Sequence, residues 1–110
     1  MSDAVEEKTT EETCFEILAH VGSAKSSYIE AIGKAKEGDF AAAAQLIAQG
    51  DEEFTAGHAH HFKMLQKDVS GEKKAEFSLI LLHTEDQMAG AETLKTVANG
   101  LLDVYKALQS

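Results

Sequence analysis

Proline and tryptophan are absent from this 110-residue sequence, and cysteine occurs once, as Cys14. Without proline, nothing in the composition forces a helix to break. A lone cysteine excludes an internal disulfide and is typical of a reducing compartment, and we expect Cys14 to be a small buried residue rather than a reactive thiol. No stretch approaches the ~20 apolar residues of a membrane span, and the acidic first residues do not resemble a signal peptide. These absences predict a soluble, cytoplasmic, helix-rich protein.

Positive charge is scarce as well. The sequence has 10 basic and 19 acidic residues, which gives a formal net charge of -9. A field of this sign repels nucleic acid, and no stretch of the sequence forms a basic stripe that could overcome it. We therefore expect no nucleic-acid partner. The same field favours the encounter with a basic protein surface.

A single all-α domain is predicted for residues 10–110, after a mobile acidic tail over residues 1–9 that lacks aromatic residues and hydrophobic periodicity. Thr9 and Glu12 have the spacing of a capping box, which predicts the start of helix 1. The Gly-Asp pair at 38–39 predicts a tight connection, with glycine ending helix 1 and aspartate capping helix 2. Short connections of this kind favour antiparallel packing of successive helices.

The third helix is predicted to begin at Glu72, after a break at Ser70-Gly71, and to continue almost to the C-terminus. The fold is therefore expected to be an antiparallel up-down-up three-helix bundle. Helical spacing predicts one core stripe for each helix. These stripes are Phe15, Leu18, Gly22, Ile29 and Ile32; Phe40, Ala43, Ile47, Gly50, Phe54, Gly57, His61 and Leu65; and Phe77, Ile80, Thr84, Gln87, Ala91, Leu94, Ala98, Leu101, Tyr105 and Leu108.

Helix 3 carries a second apolar stripe on another side. Its members are Leu79, Leu82, Asp86, Gly90, Thr93, Val97 and Val104. A bundle of three helices that leaves such a surface uncovered is expected to bury it by self-association.

Polar residues interrupt this apolar segment. Asp86 lies inside the second stripe, where an unpaired ionised carboxylate is costly. Copies of Asp86 around a symmetry axis would favour protonation or capture of a cation, whereas an Asp86 at the edge of the stripe would stay hydrated. His83 lies one turn earlier, at the boundary of the two stripes. Glu85 or Asp86, from the same or another subunit, could accept one ring N–H and leave the other nitrogen as a nucleophile, although a packing or surface role is the ordinary alternative.

The segment GHAHHF contains three further histidines, His58, His60 and His61. His58 and His61 share a helix face, but two imidazoles without a matched carboxylate or cysteine make a weak metal site. A histidine-rich surface, or one that lines a neighbouring active site, is favoured. The sequence also lacks the Glu-x-x-His motif of di-iron bundles, a glycine-rich phosphate loop and a Cys-x-x-Cys pair.

The motif LLHTEDQM at 81–88 is the most specific feature of the sequence. It is similar to the signature around the phosphorylated histidine of the EIIA component in the lactose/cellobiose/N,N'-diacetylchitobiose family of the bacterial phosphoenolpyruvate-dependent sugar phosphotransferase system. The resemblance extends from about Glu12 to Leu108. Supporting matches are Gly22, Lys25-Ser26, Glu30-Ala31, the segment KEGDF at 36–40, His58 and Gln66-Lys67-Asp68.

This resemblance implies that His83 is the phosphoryl acceptor and a candidate tele-phosphohistidine. It implies that the phosphoryl group arrives from HPr and passes to a cysteine of the EIIB component, which phosphorylates a disaccharide that enters through the membrane component EIIC. It also implies a homotrimer in which three Asp86 carboxylates meet on the axis and bind a divalent metal, expected to be Mg2+.

Some positions depart from the family pattern, and other functions stay open. His61-Phe62 stands where relatives commonly have Gln-Thr, and Thr84 stands where they have Ala. A histidine phosphotransfer domain of two-component signalling is one alternative, but such domains usually place Lys where this chain has Asp86. A non-catalytic oligomerisation module, with His83 and Asp86 merely interfacial, is the other.

Overall fold

Three α-helices make up the computed structural model, which describes residues 7–109. The helices are α1 (Thr10–Lys36), α2 (Phe40–Ser70) and α3 (Leu79–Leu108). No strand occurs among the described residues, which agrees with the predicted all-α class. None of the helices in this range is long and apolar enough to cross a membrane.

The helices run up, down and up. A connection of only three residues between α1 and α2 forces the chain to reverse direction. The backbone N–H of Glu76, just before α3, donates to Oγ1 of Thr10 at 3.2 Å, and Lys25 in α1 contacts Gln87 in α3. The starts of α1 and α3 therefore lie at the same end, and the predicted bundle topology is confirmed.

The start of α1 is capped as the sequence predicts. The Glu12 backbone N–H donates to Oγ1 of Thr9 at 3.0 Å, and the Thr9 backbone N–H donates to Oε1 of Glu12 at 3.1 Å. This second bond, which stabilises the charged carboxylate, holds the pKa of Glu12 below its ordinary value. Of the predicted tail over residues 1–9, residues 1–6 lie outside the described residues.

The first connection also follows the prediction. Gly38 adopts a positive φ of 86°, a region that glycine enters without steric cost. The backbone N–H of Ala42 donates to Oδ1 of Asp39 at 3.1 Å, so Asp39 caps α2. At the far end of α2, Gly71 has a φ of 81° and ends the helix.

The predicted start of helix 3 at Glu72 is wrong. The helix begins seven residues later, at Leu79, and Ser78 is its N-cap. In the preceding segment, the backbone N–H of Ala75 donates to Oδ1 of Asp68, and that of Glu76 donates to Thr10. Because side chains of α2 and α1 take these donors, the segment does not join the helix.

The core stripe predicted for α1 is also wrong. Phe15 and Ile29 are 56% and 58% exposed. The buried face lies one residue away and consists of Cys14, Ile17, Val21, Ala24, Tyr28, Ala31 and Ala35. Three alanines on this face allow a close approach of the neighbouring helices, and Cys14 is fully buried as predicted.

The stripes predicted for α2 and α3 are confirmed in their middle parts. The buried members are Ala43, Ile47, Gly50 and Gly57 in α2 and Thr84, Ala91 and Ala98 in α3. Leu65, Phe77 and Leu108 are exposed, and Met88 and Leu102 join the core instead. The predicted α3 stripe thus contains three buried residues, but it is wrong at its ends and omits Met88 and Leu102.

Candidate functional site

His83 lies in the second turn of α3, close to the N-cap of the helix. Oγ of Ser78 accepts the backbone N–H of Leu81 at 3.2 Å, which fixes the first turn. Thr84, next to His83, is fully buried, and its hydroxyl donates to the carbonyl of Ile80 at 2.7 Å. The His83 side chain is exposed. The helix therefore presents an accessible imidazole between its capped first turn and the buried Thr84.

Glu85 contacts His61 and not His83, for which it was a predicted hydrogen-bond acceptor. Its Oε2 and Oε1 lie 2.7 and 2.9 Å from Nε2 of His61 in α2. Residues 83 and 85 are separated by about 200° around a helix. Glu85 therefore joins α3 to α2, and within one chain it is not the partner that orients the His83 ring.

Asp86 is exposed in the single chain. It shares the outer face of α3 with four large apolar residues, each turned away from α1 and α2. Their exposed fractions are 83% for Leu79, 48% for Leu82, 43% for Val97 and 51% for Val104. The predicted second stripe therefore exists, and desolvation of Asp86 would require another molecule to cover it.

The opposite flank of α3 faces α1. Nζ of Lys25 donates to Oε1 of Gln87 at 2.8 Å, and both residues are partly buried. Gln87 follows His83 by one helical turn, so the two side chains project about 40° apart. An ammonium group therefore lies on the same flank of α3 as the candidate acceptor.

Residues 12–106 match the family described as PTS system, Lactose/Cellobiose specific IIA subunit. The chain belongs to this family. It is 37% identical over 98 residues to the oligo-beta-mannoside-specific EIIA component of Bacillus subtilis (strain 168), an alignment that covers 89% of this chain and 88% of that protein.

Solved IIA structures share the fold of this IIA chain. The cellobiose-specific enzyme IIA from Bacillus anthracis superimposes with a TM-score of 0.87 at 31% identity, covering 94% of each chain. The IIA(chitobiose) of Escherichia coli, solved in complex with HPr, gives a TM-score of 0.79 at 25% identity and covers 94% of this chain and 100% of that one. The structural likeness thus extends over nearly the whole bundle.

The remaining histidines of this IIA chain have separate partners. His20 and His60 stack with ring centroids 5.7 Å apart, and they pair with Glu53 and Glu16 respectively. His58 stacks between two phenylalanine rings of α2. Within residues 7–109 no three His, Cys, Asp or Glu side chains form a group that could hold a metal ion.

The sequence did not single out two contacts of this IIA site. His61 pairs with Glu85 across 24 residues of sequence, and Lys25 reaches Gln87 across 62. Neither pair has a fixed spacing that could signal it. The departure from the family pattern at Thr84 is accommodated because its buried hydroxyl bonds the carbonyl of Ile80.

Proposed function

We propose that this IIA chain is a cytoplasmic phosphoryl carrier that accepts the phosphoryl group of phospho-HPr on His83 and passes it to a cysteine of an EIIB component. The observation that carries the proposal is the exposed imidazole of His83 inside the motif LLHTEDQM, on an anchored turn of α3. The IIA(chitobiose) neighbour, solved in complex with HPr, supports HPr as the donor.

The transfer needs little from the protein beyond position and charge. A lone pair on one ring nitrogen of neutral His83 attacks phosphorus, and the N–P bond of the donor histidine breaks with its electron pair returning to that nitrogen. No proton has to leave His83, because the attacking nitrogen carries none. In the second step a cysteine thiolate attacks the same phosphorus, and the bond to His83 breaks in the same sense.

The transported sugar is proposed at the level of a class. Relatives are named for oligo-beta-mannoside and for cellobiose, which supports a disaccharide of the lactose, cellobiose and chitobiose class. The sugar would be phosphorylated by EIIB as it enters through the membrane component EIIC. The choice within the class depends on those components, because the sugar does not contact the IIA chain.

Reconstitution tests this function directly. The purified chain is incubated with labelled phosphoenolpyruvate, enzyme I and HPr, and it should acquire an acid-labile, alkali-stable phosphate that a cognate EIIB removes. A chain that stays unlabelled while HPr is labelled would overturn the proposal. If no other phosphoryl donor labels the chain either, the oligomerisation module is the surviving function. Labelling by a response regulator instead of HPr would point to two-component signalling.

We extend the proposal to a homotrimer around the outer face of α3. The large apolar residues that flank Asp86 on this face are 43% to 83% exposed in one chain, and burial of such a face is a common driving force for symmetric assembly. Three Asp86 carboxylates would then meet near the axis, where their oxygens fit a hard divalent cation such as Mg2+. Such an ion would compensate the charges of the three Asp86 carboxylates and would stabilise the trimer.

Replacing Asp86 by asparagine tests both the axis and the ion. The wild-type chain should sediment as a trimer that retains about one divalent ion, and a chelator should weaken its association. Asp86→Asn removes the converging charges, so its trimer should bind no ion and should not respond to the chelator. Asp103→Asn, an exposed change of equal charge on α3, should behave as the wild type. A wild-type trimer without metal and without a chelator effect would remove Asp86 from the ligands.

A further inference from the structure

Phosphorylation of His83 poses an electrostatic problem for this chain. A phosphoryl group adds roughly 1.5 to 2 negative charges at neutral pH. It would do so three residues before Asp86, in a chain whose formal net charge is already -9. A phosphohistidine in such a field should be stabilised by a cation held close to it.

Helix α3 itself does not supply this cation. Its first basic residue is Lys95, three turns after His83. Nζ of Lys95 is 3.5 Å from Oδ1 of Asp51 and 5.6 Å from the ring centre of Phe54, both in α2. Lys95 is therefore engaged on the side of α3 that faces away from His83.

Lys25 of α1 lies on the required side. Its Nζ donates to Oε1 of Gln87 at 2.8 Å, one turn after His83. It also passes close to the α3 backbone, since a β-carbon placed on Gly90 would be 3.8 Å from Nζ. The ammonium thus lies against α3 between Gln87 and Gly90, on the flank that carries His83.

The Lys25 ammonium lies one to two turns of α3 beyond His83, beside Gln87 and Gly90. Helical side chains tilt toward the N-terminus of their own helix. Because α1 and α3 run parallel, a rotation of the Lys25 and Gln87 side chains in that direction would bring the ammonium closer to the turn that contains His83. Gln87 occupies one of the three N–H donors of the ammonium and leaves the others free for a further acceptor.

We propose that Lys25, held in place by Gln87, is the residue that compensates the charge of the phosphoryl group on His83. The inference rests on the proposed function. On phosphorylation the ammonium donates to a phosphoryl oxygen while it keeps Gln87 as its anchor, and no covalent bond changes. The consequence is a shift in the equilibrium between phospho-HPr and the phosphorylated chain toward the latter, together with slower hydrolysis of the phosphohistidine.

Three variants separate charge compensation from a structural role. Lys25→Met keeps the packing of the stem and removes the charge, Lys25→Arg keeps the charge, and Lys34→Met makes the same change of net charge at an exposed position of the same helix. The measured quantities are the equilibrium constant for transfer from phospho-HPr, from 31P signals, and the half-life of the phosphorylated chain. Circular dichroism and sedimentation establish that each variant is folded and assembled like the wild type.

Lys25→Met should lower the transfer equilibrium constant by about fivefold and shorten the half-life of the phosphohistidine. Lys25→Arg should retain both values within about twofold, and Lys34→Met should match the wild type. Equal constants for Lys25→Met and Lys34→Met would overturn the inference, as would an arginine variant as impaired as the methionine one. Either result leaves the phosphoryl-carrier function intact, which fails only if the wild-type chain itself takes no phosphate from HPr.

Discussion

Replacing His83 by alanine should abolish acceptance of phosphate from HPr, lowering the labelling rate by more than about a thousandfold. The exposed imidazole at 83 is the only group of this chain that the proposed transfer uses as a nucleophile. The same replacement at His58 or His60 should leave the rate within about threefold, because those rings stack against residues of α1 and α2. The measurement is incorporation of labelled phosphate from phosphoenolpyruvate through enzyme I and HPr, at equal concentrations of each variant.

Glu85→Gln provides a sharper control for the same site. Glu85 is only two residues from His83, yet its carboxylate lies 2.7 Å from Nε2 of His61. If His61 is its functional partner, the glutamine variant should retain phosphate acceptance within about threefold. A loss of tenfold or more would show that Glu85 orients His83 in the assembled protein.

Label that persists in His83→Ala would place the acceptor elsewhere and overturn the proposed function.

The two faces of α3 could be predicted from sequence because they differ in composition as well as in phase. One face carries Thr84, Ala91 and Ala98, which are buried, and the other carries Leu79 and Val104, which are exposed in one chain. Two apolar stripes on one helix imply two partners. The second partner was therefore predicted as another copy of the chain, from periodicity alone.

The same reasoning predicts the wrong face for helix α1, because the predicted stripe and the buried stripe lie only one residue apart. Size favoured the stripe with Phe15 and Ile29, but the core contains the smaller Ala24, Ala31 and Ala35. Close packing of three long helices selects small residues where the backbones approach, and a hydrophobicity pattern gives them little weight. The large residues were left on the surface.

Tertiary contacts also account for the late start of α3. The residues after Gly71 are compatible with a helix by propensity, but Asp68 and Thr10 bind the backbone N–H groups of Ala75 and Glu76. Ser78, which caps the helix in the structure, is not identified as a starting point from the sequence, where the start is placed at Glu72. Only the packing of α2 and α1 against this segment decides between them.

The local sequence was sufficient to select His83 and Asp86 as candidate site residues. It could not predict which side chains of the other helices lie near them. Lys25 and Gln87 meet because α1 and α3 run side by side, 62 residues apart in sequence. A motif describes residues on one helix. The charge balance around it depends on neighbouring helices, which the motif does not contain.

Gly50→Ala should lower the free energy of unfolding by about 1 to 3 kcal/mol. A β-carbon at position 50 would lie 2.6 Å from Cε1 of Tyr28, well inside contact distance. The Tyr28 ring is fully buried, and its hydroxyl donates to Oδ1 of Asp51 at 2.7 Å, so it cannot move aside without loss of that bond. Burial and the Asp51 carboxylate also raise the pKa of Tyr28 above its ordinary value, which keeps the hydroxyl protonated as a donor. Urea unfolding at a fixed chain concentration measures the effect.

Gly33→Ala is the matched control, because a β-carbon at position 33 would meet nothing within 4 Å. There the higher helix propensity of alanine should raise the free energy of unfolding by about 0.5 to 1 kcal/mol. A Tyr28→Leu background isolates the cause of the Gly50 effect. With the ring removed, Gly50→Ala should lose most of its penalty, since the two changes are coupled through one contact. An unchanged penalty in that background would mean that close approach of α1 and α2 at Gly50, rather than the Tyr28 ring, requires glycine.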